Sequence, residues 1–575
     1  MRTRSLLIMI ILLLVGTLSA LPSKELPEEW DMPSLPSPCA LTPSDDPSGS
    51  VLLPAPLDVV PGGTAEWLVA PGVFNMPQTV RVNDRNELLV ISGRSDTLFT
   101  LDVNGEIRSA LGIGGGRALL GDDGSVYTMG AGPEILRLRP SGTIERFAEI
   151  DCSTRVGIEA ISFAPDGAIH ICLGSEAIYR AASDGSVSVL DAHLPFPIHV
   201  LYTAPDGTYY GARYDTVYRI AFPGYELTEL CTIPQGHHLI SEQALVVDDA
   251  GRLYIATGNR DDHGALYRYT EDAGVELLAL IDGNGLSGID WCAKTREIVG
   301  CQLVRGGLIG VHVDTGAVRE IVAGNGLITP MLMDVSSCGS IGVICDDGGM
   351  LALVTPSGDV SRFFGYGAYV GPISQVVFDE FDRTYVTQGC AGFPSVVAVL
   401  DPAVGRLRRM AENLAVPSGL VQDDEGHLIV AECEAGRITK LLPDSRQTVL
   451  ARELTFPQAL AIDADGVIYA VCGGDESFAP WGPYAGEYVC RISTEGAVER
   501  WCELPGVMGL TIAPDGKLVA SAHSCVYGVE ADGEPTPLIT GLTGACGVVY
   551  DEQGRLYVSD HTLNAVARIT FQDKP

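Results

Sequence analysis

The sequence predicts an all-β protein, two tandem six-bladed β-propellers built from about twelve four-stranded blades. Three observations predict it. A unit of roughly 40 residues recurs along the chain, the signature of a repeat architecture. Inside each unit, short apolar alternations are cut by Asp/Gly turns, and no helical pattern of any length follows the N-terminal apolar run.

In chain order, Arg2 and Arg4 precede an apolar run from Leu6 to Val15 and then the small residues Gly16, Thr17 and Ser19. This is a secretory signal layout, read as residues 1–19 with cleavage after Ser19. The alternative is an uncleaved anchor, but Leu6 to Leu21 is 16 residues, short of the roughly 17–25 of a spanning helix. Residues 20–62 form a Pro-rich linker, with ten prolines between Leu21 and Pro61 and a lone Cys39; such a composition makes an extended tether. No later stretch is apolar enough to span a bilayer, so the remainder is expected outside the cytoplasm, secreted, periplasmic or extracellular. It carries no membrane span once the signal is gone.

The repeat is plain in EAISFAPDGAIHICLGSEAIYRAASDGSVSVL from Glu159, ALVVDDAGRLYIATG from Ala244, GLVQDDEGHLIVAECEAGRITKLLPDSRQTVL from Gly419 and GVVYDEQGRLYVSDHTLNAVARITF from Gly547. Each reads as four antiparallel strands joined by tight turns. First-turn glycines keep the period at Gly124, Gly167, Gly207 and Gly251, then at Gly426, Gly466, Gly516 and Gly554. The insertion DESFAPWGPYAGEY, Asp475 to Tyr488, accounts for the one long interval. Twelve blades about one axis would leave a hole that side chains cannot fill, since propellers typically have about four to eight. Two rings, 63–314 and 315–571, follow. The last unit supplies three strands and stops at Phe571, while an orphan strand, Thr64 to Ala70, precedes the first unit. If each ring borrows its outer strand from its own N-terminal side, Thr64 to Ala70 completes the blade of Gly288 to Val313. Ala317 to Val322 then completes the blade of Cys546 to Thr570.

Net charge is −36, or −38 once Arg2 and Arg4 leave with the signal. So acidic a surface repels phosphate backbones and anionic headgroups, which excludes nucleic-acid binding. Fifteen cysteines, an odd number with no CxxC pair, argue against a zinc ribbon or a thioredoxin-like centre. Cys490 and Cys502, flanking the turn Thr494-Glu495-Gly496, are the best placed to bridge a hairpin.

The blades FPQALAIDADGVIYAVCGG at Phe456, VPSGLVQDDEGHLIVAE at Val416 and LYVSDHTLNAVARI at Leu556 resemble NHL repeats and the superfamily containing gluconolactonase, strictosidine synthase and virginiamycin B lyase. The resemblance covers nearly all of residues 64–571 and implies a propeller. It does not imply an activity, because such propellers serve as binding platforms as well as enzymes.

Propeller loops between blades, and between second and third strands, gather on one face around the axis. In the first ring these loops carry Arg94, Arg213, Arg260 and Arg305, with Arg117 and Arg155 between blades. Converging guanidinium forks suit a carboxylate, sulfate or phosphate; alternatively Asp96, Asp215 and Asp261 neutralise them. In the second ring the same loops carry Asp346, Asp347, Glu432, Glu434, Asp475, Glu476, His523, Asp560 and His561. Carboxylates and imidazoles at one axis could hold a divalent cation such as calcium, or form a solvated acidic rim. Asp560 takes the NHL strand-end position, which the resemblance implies serves blade structure. The insertion adds Phe478, Trp481 and Tyr484, rings of the kind that stack on sugars or clasp a peptide. The gluconolactonase resemblance implies a Glu, an Asn and an Asp at inner-strand starts around one metal. Glu159 and Asp290 match by type, with His199 a third possible ligand, while the Asn-Gly start is missing. The second ring starts its inner strands with Gln375, Ser418, Gln458, Met508 and Cys546, none acidic. GxSxG, HExxH and phosphate-loop patterns are absent. Two functions follow: a non-catalytic platform for a small molecule, glycan or protein, and a metal-dependent lactonase or esterase centred on Glu159 and Asp290.

Overall fold

The computed structural model describes residues 57–571 apart from short loop stretches, the longer of which are 93–96, 113–117, 130–133, 151–157, 191–197, 235–238, 240–243, 259–262, 346–349, 365–372, 390–394, 402–405 and 475–484. The signal, most of the linker and the insertion rings Phe478, Trp481 and Tyr484 therefore lie outside the described residues. Every described element is a strand, and ten sheets have four antiparallel strands each. An eleventh has eight, because one long strand, Val498–Ile512, ends one four-stranded group and begins the next. Asp58–Val59 extends its outer edge by pairing with Ile539 and Thr540.

A recurring turn explains how the sequence makes each blade. In DDAGRLY the Asp248 carboxylate accepts the backbone N–H of Ala250 and Arg252 through one oxygen, while the other takes Arg252 Nε at 2.7 Å and the Tyr254 hydroxyl at 3.0 Å. The same four bonds are made by Asp379 and by Asp551 with its partners Gln553, Arg555 and Tyr557. Spacing is the cause: the carboxylate closes the first hairpin locally, and Arg and Tyr reach back to it from the second strand. The turn's fourth residue needs positive φ, met by glycine at Gly251 (φ 76) and by Asp382 (φ 56) in the Asp379 copy.

Contacts between inner strands run in two circuits. One passes through the sheets of residues 77–112, 118–149, 158–190, 200–232, 245–282 and 288–322 and returns to the first. The other passes through those of 333–364, 373–412, 417–451, the two halves of the eight-stranded sheet, and 545–571. Apolar cores fill the spaces between adjacent sheets, as where Ala244, Tyr254 and Leu266 meet Ile289, Ile298 and Ile309.

The closing strands are exchanged relative to the expectation from sequence. Val318–Val322 pairs with Gly307–His312 of its own preceding sheet, so a boundary at 314/315 would cut the first ring. Gly63–Val69 pairs with Ala565–Phe571, the last described strand, from Gly63↔Phe571 to Val69↔Val566. The physical reason is locality. Val318 needs only the turn at Gly316, whose N–H bonds His312 O at 2.8 Å, and a short loop costs little closure entropy. That hairpin leaves the strand before the first ring as the outer edge available to the last sheet. Arg319 fixes the first choice by pairing Glu297 and donating to Val103 O across the seam, and Arg568 fixes the second by donating to Glu66 at 2.6 and 2.8 Å.

The chain thus crosses between rings twice, after Val69 and after Val322. The crossings are tied to each other and to the last hairpin. Asn325 Nδ2 donates to Ala70 O, Gly72 N–H donates to Leu563 O, and buried Asn564 accepts Thr329 N–H at 2.8 Å while donating to Phe74 O at 3.1 Å.

Candidate functional site

The described carboxylates expected as ligands are engaged by the blades. Asp290 lies in the inner strand Gly288–Cys292 and accepts Val82 N–H at 2.8 Å and Trp291 N–H at 3.0 Å. It joins the last sheet of the first ring to the first. Burial pushes its pKa up, opposed by nearby Arg81 and by the two amides. Asp334 does the same in the second ring, taking Phe378 N–H at 2.7 Å. With no cation to oppose it, burial raises Asp334 to about 6.

Glu432 ends the strand Leu428–Glu432 and is fully buried. Arg437 grips both its oxygens at 2.6 and 2.7 Å, Thr439 Oγ1 donates to one, and Ala415 N–H donates to the other at 2.8 Å. Burial works to raise its pKa, but these donors outweigh it and hold the carboxyl below the usual range. Asp560, also fully buried, sits at the equivalent strand end and accepts the N–H and hydroxyl of Thr543 and the N–H groups of Thr562 and Leu563. Both side chains pin the loop leading into their own blade, accepting four hydrogen bonds each from that loop and its neighbours.

His523 is exposed, and its ring lies over Gly506, where a Cβ would come within 2.1 Å of Nε2. His561 Nδ1 stands 2.8 Å from Gly544 O. Of Glu159 only the backbone is described: it falls where the register slips between Ile158 and Ala160, a bulge at the start of an inner strand. The slip recurs at Gln78, Ser374 and Met508. His199, Arg94 and Arg260 lie outside the described residues, as do Arg117 and Arg155. Arg213 and Arg305 are described: Arg305 is exposed, and the Arg213 guanidinium lies 5.1 Å from the ring of Tyr214, itself 62% exposed. Asp215, in the same loop, accepts the Thr216 hydroxyl.

No family model matches the chain, and no curated protein matches it. Solved structures do. Virginiamycin B lyase from Staphylococcus aureus is 12% identical at a TM-score of 0.32, over 42% of this chain and 94% of that one. The extracellular domain of a proposed hybrid two component system from B. thetaiotaomicron is 11% identical at 0.31, over 89% and 83%. A gluconolactonase from Xanthomonas campestris is 14% identical at 0.34, over 42% and 88%. The assignment of a propeller rests on the strand pairing itself.

One cluster that sequence reading passed over is Asp423, Glu425 and His427, whose ligand-type atoms lie within 4.8 Å of one another. It is a variant of the turn described above. Asp423 accepts Glu425 and His427 N–H, His427 replaces the arginine, and Lys440 Nζ at 2.7 Å supplies the missing cation. Burial raises the Asp423 pKa, but Lys440 and the amides more than offset it. The signal was legible as an Asp-x-x-Gly-His turn where other blades carry Arg.

A different buried imidazole, His170, has Tyr209 Oη at 3.0 Å and Tyr225 Oη at 3.4 Å, and burial lowers its pKa to about 4. It is a neutral ring packed between two blades.

Proposed function

We propose that the chain is an exported recognition platform that binds a small molecule, glycan or protein through the loop faces of its propellers. One observation carries this reading: Asp290, Glu432 and Asp560 spend their oxygens on backbone amides, hydroxyls and an arginine. A metal hydrolase needs several free ligands and an open coordination position. The reading places the ligand on the first ring's loop face, to which the second-to-third strand loops bring Arg213 with the ring of Tyr214 and, two blades on, Arg305. This combination suits an acidic sugar or another carboxylate. Location outside the cytoplasm is supported by the N-terminal layout of Arg2, Arg4 and the apolar run.

The test is binding of the purified chain to immobilised uronate-bearing, sulfated and neutral glycans at low and moderate salt, beside Arg213→Ala and Arg305→Ala. Acid-selective binding weakened about tenfold by either substitution, with no change on chelation, is expected. Chelator-sensitive cleavage of simple lactones, abolished by Glu159→Gln, would instead establish the hydrolase.

A further inference from the structure

The expected bridge between Cys490 and Cys502 is not the one the fold allows. Register places Cys502 opposite Val489, and the sheet lets adjacent residues on a strand face opposite ways. Cys490 accordingly packs with Ile429, Ala431 and Ile438 of the preceding blade, whereas Cys502 packs on the other side with Val489, Val507 and Leu510. A different cysteine shares the side of Cys490. Cys472 lies on the neighbouring strand, paired with Tyr488, and Cys490 is paired with Ala470. The two are diagonal neighbours on one face of the sheet, in the same core, with 0% and 4% of their surface exposed.

We propose that Cys472 and Cys490 form a cross-strand disulfide when the chain folds in an oxidising compartment. The supporting chemistry is local. Each thiol is the other's largest electrostatic neighbour: that proximity, with Arg500 beside it, lowers the pKa of Cys490 against the effect of burial, and proximity and burial together push Cys472 up. Because the pair reacts before the preceding blade packs, either sulfur can attack first. When Cys490 does, it attacks a sulfur of a disulfide oxidant, such as a thiol–disulfide oxidoreductase or a low-molecular-weight disulfide, and expels one oxidant thiolate. Cys472 then loses its proton and attacks Cys490 in the mixed disulfide, expelling the second oxidant thiolate. Two cysteine thiols are oxidised, one oxidant disulfide is reduced to two thiols, and both cysteine protons pass to them. The sulfurs must close to about 2.05 Å, and both are sealed by the preceding blade. The bond must therefore form on the hairpin before that blade packs against it.

The test refolds the reduced full-length chain in a glutathione redox buffer, blocks free thiols, unfolds the chain without reductant and maps linked peptides by mass spectrometry. This works whether or not the export reading holds. A peptide linking Cys472 to Cys490, lighter than the sum of its reduced parts by the mass of two hydrogens, is expected in the folded fraction. Cys472→Ala should leave Cys490 labelled, and Cys502→Ala should leave the link intact. Full labelling of both cysteines in folded wild-type protein overturns the proposal, as does linkage of either to Cys433 or Cys502. The deciding result is read on the wild type alone, so a variant that fails to fold does not affect it.

Discussion

The two rings differ in how they close. The first runs through consecutive sequence, and its final strand, Val318–Val322, is added by a local hairpin. The second needs Gly63–Val69, which precedes the entire first ring. The first ring is thus inserted between the closing strand of the second and the rest of it. Contiguity in sequence and completeness in space are separate properties in a repeat fold. Blade count alone does not say which segments stand alone.

The comparison breaks most directly if the closing strand is removed. A chain starting at residue 74 should keep the first ring's unfolding transition and lose that of the second. The strand packs Trp67, Leu68 and Val69 against the second ring, contributing on the order of 5 kcal/mol. Calorimetry or near-ultraviolet circular dichroism against temperature would show it. A second-ring transition that survives unchanged would mean that the pairing with Ala565–Phe571 adds nothing.

Next in size is Glu432→Ala, which leaves Arg437, Thr439 and the Ala415 amide unpaired in the second ring only. Its expected cost is about 3–5 kcal/mol, seen as a drop in that ring's melting temperature with the first ring unmoved. Asn564→Ala comes next at about 2 kcal/mol, from two buried bonds lost at Thr329 N and Phe74 O. Because these bonds tie the crossings, the substitution should also widen the spacing between the two rings' transitions, and a purely local effect would leave that spacing unchanged.

The smallest effect sharpens the contrast between the inner-strand aspartates. Asp334, at about 6, lies above the ~3.9 of an unfolded aspartate. Its contribution to stability is therefore complete below about pH 4 and is lost as pH rises through about 6. Asp334→Asn should remove that loss and stabilise the second ring at pH 8, relative to pH 4, by about 1–2 kcal/mol after allowance for partial exposure. Denaturant midpoints of variant and wild type at the two pH values would measure it, and equal differences at both would refute the assignment. Asp290, with Arg81 to oppose its burial, should show a weaker dependence.

Much of the blade was readable because its determinants are local. Alternation set the strands, and Asp-x-x-Gly spacing set the first turns. The site was less readable because charge and residue type do not reveal commitments. Glu432 and Asp560 look like ligands until Ala415 and Thr543 are found donating to them, and nothing in the sequence marks Ala415 as the owner of an amide that needs an acceptor. Cys490 and Cys502 sit symmetrically about their turn, yet the register shift between Val489 and Cys490 turns them to opposite sides of the sheet. What the sequence determined by itself was the repeat, the four-strand unit and the turn chemistry, all fixed by contacts a few residues apart. Which strand closes which ring, and which carboxylates remain free, only the tertiary structure decided, because those choices depend on edges and amides that the local pattern does not mark, where a short hairpin at Gly316 outcompetes a distant partner and leaves Gly63–Val69 to complete the end of the chain.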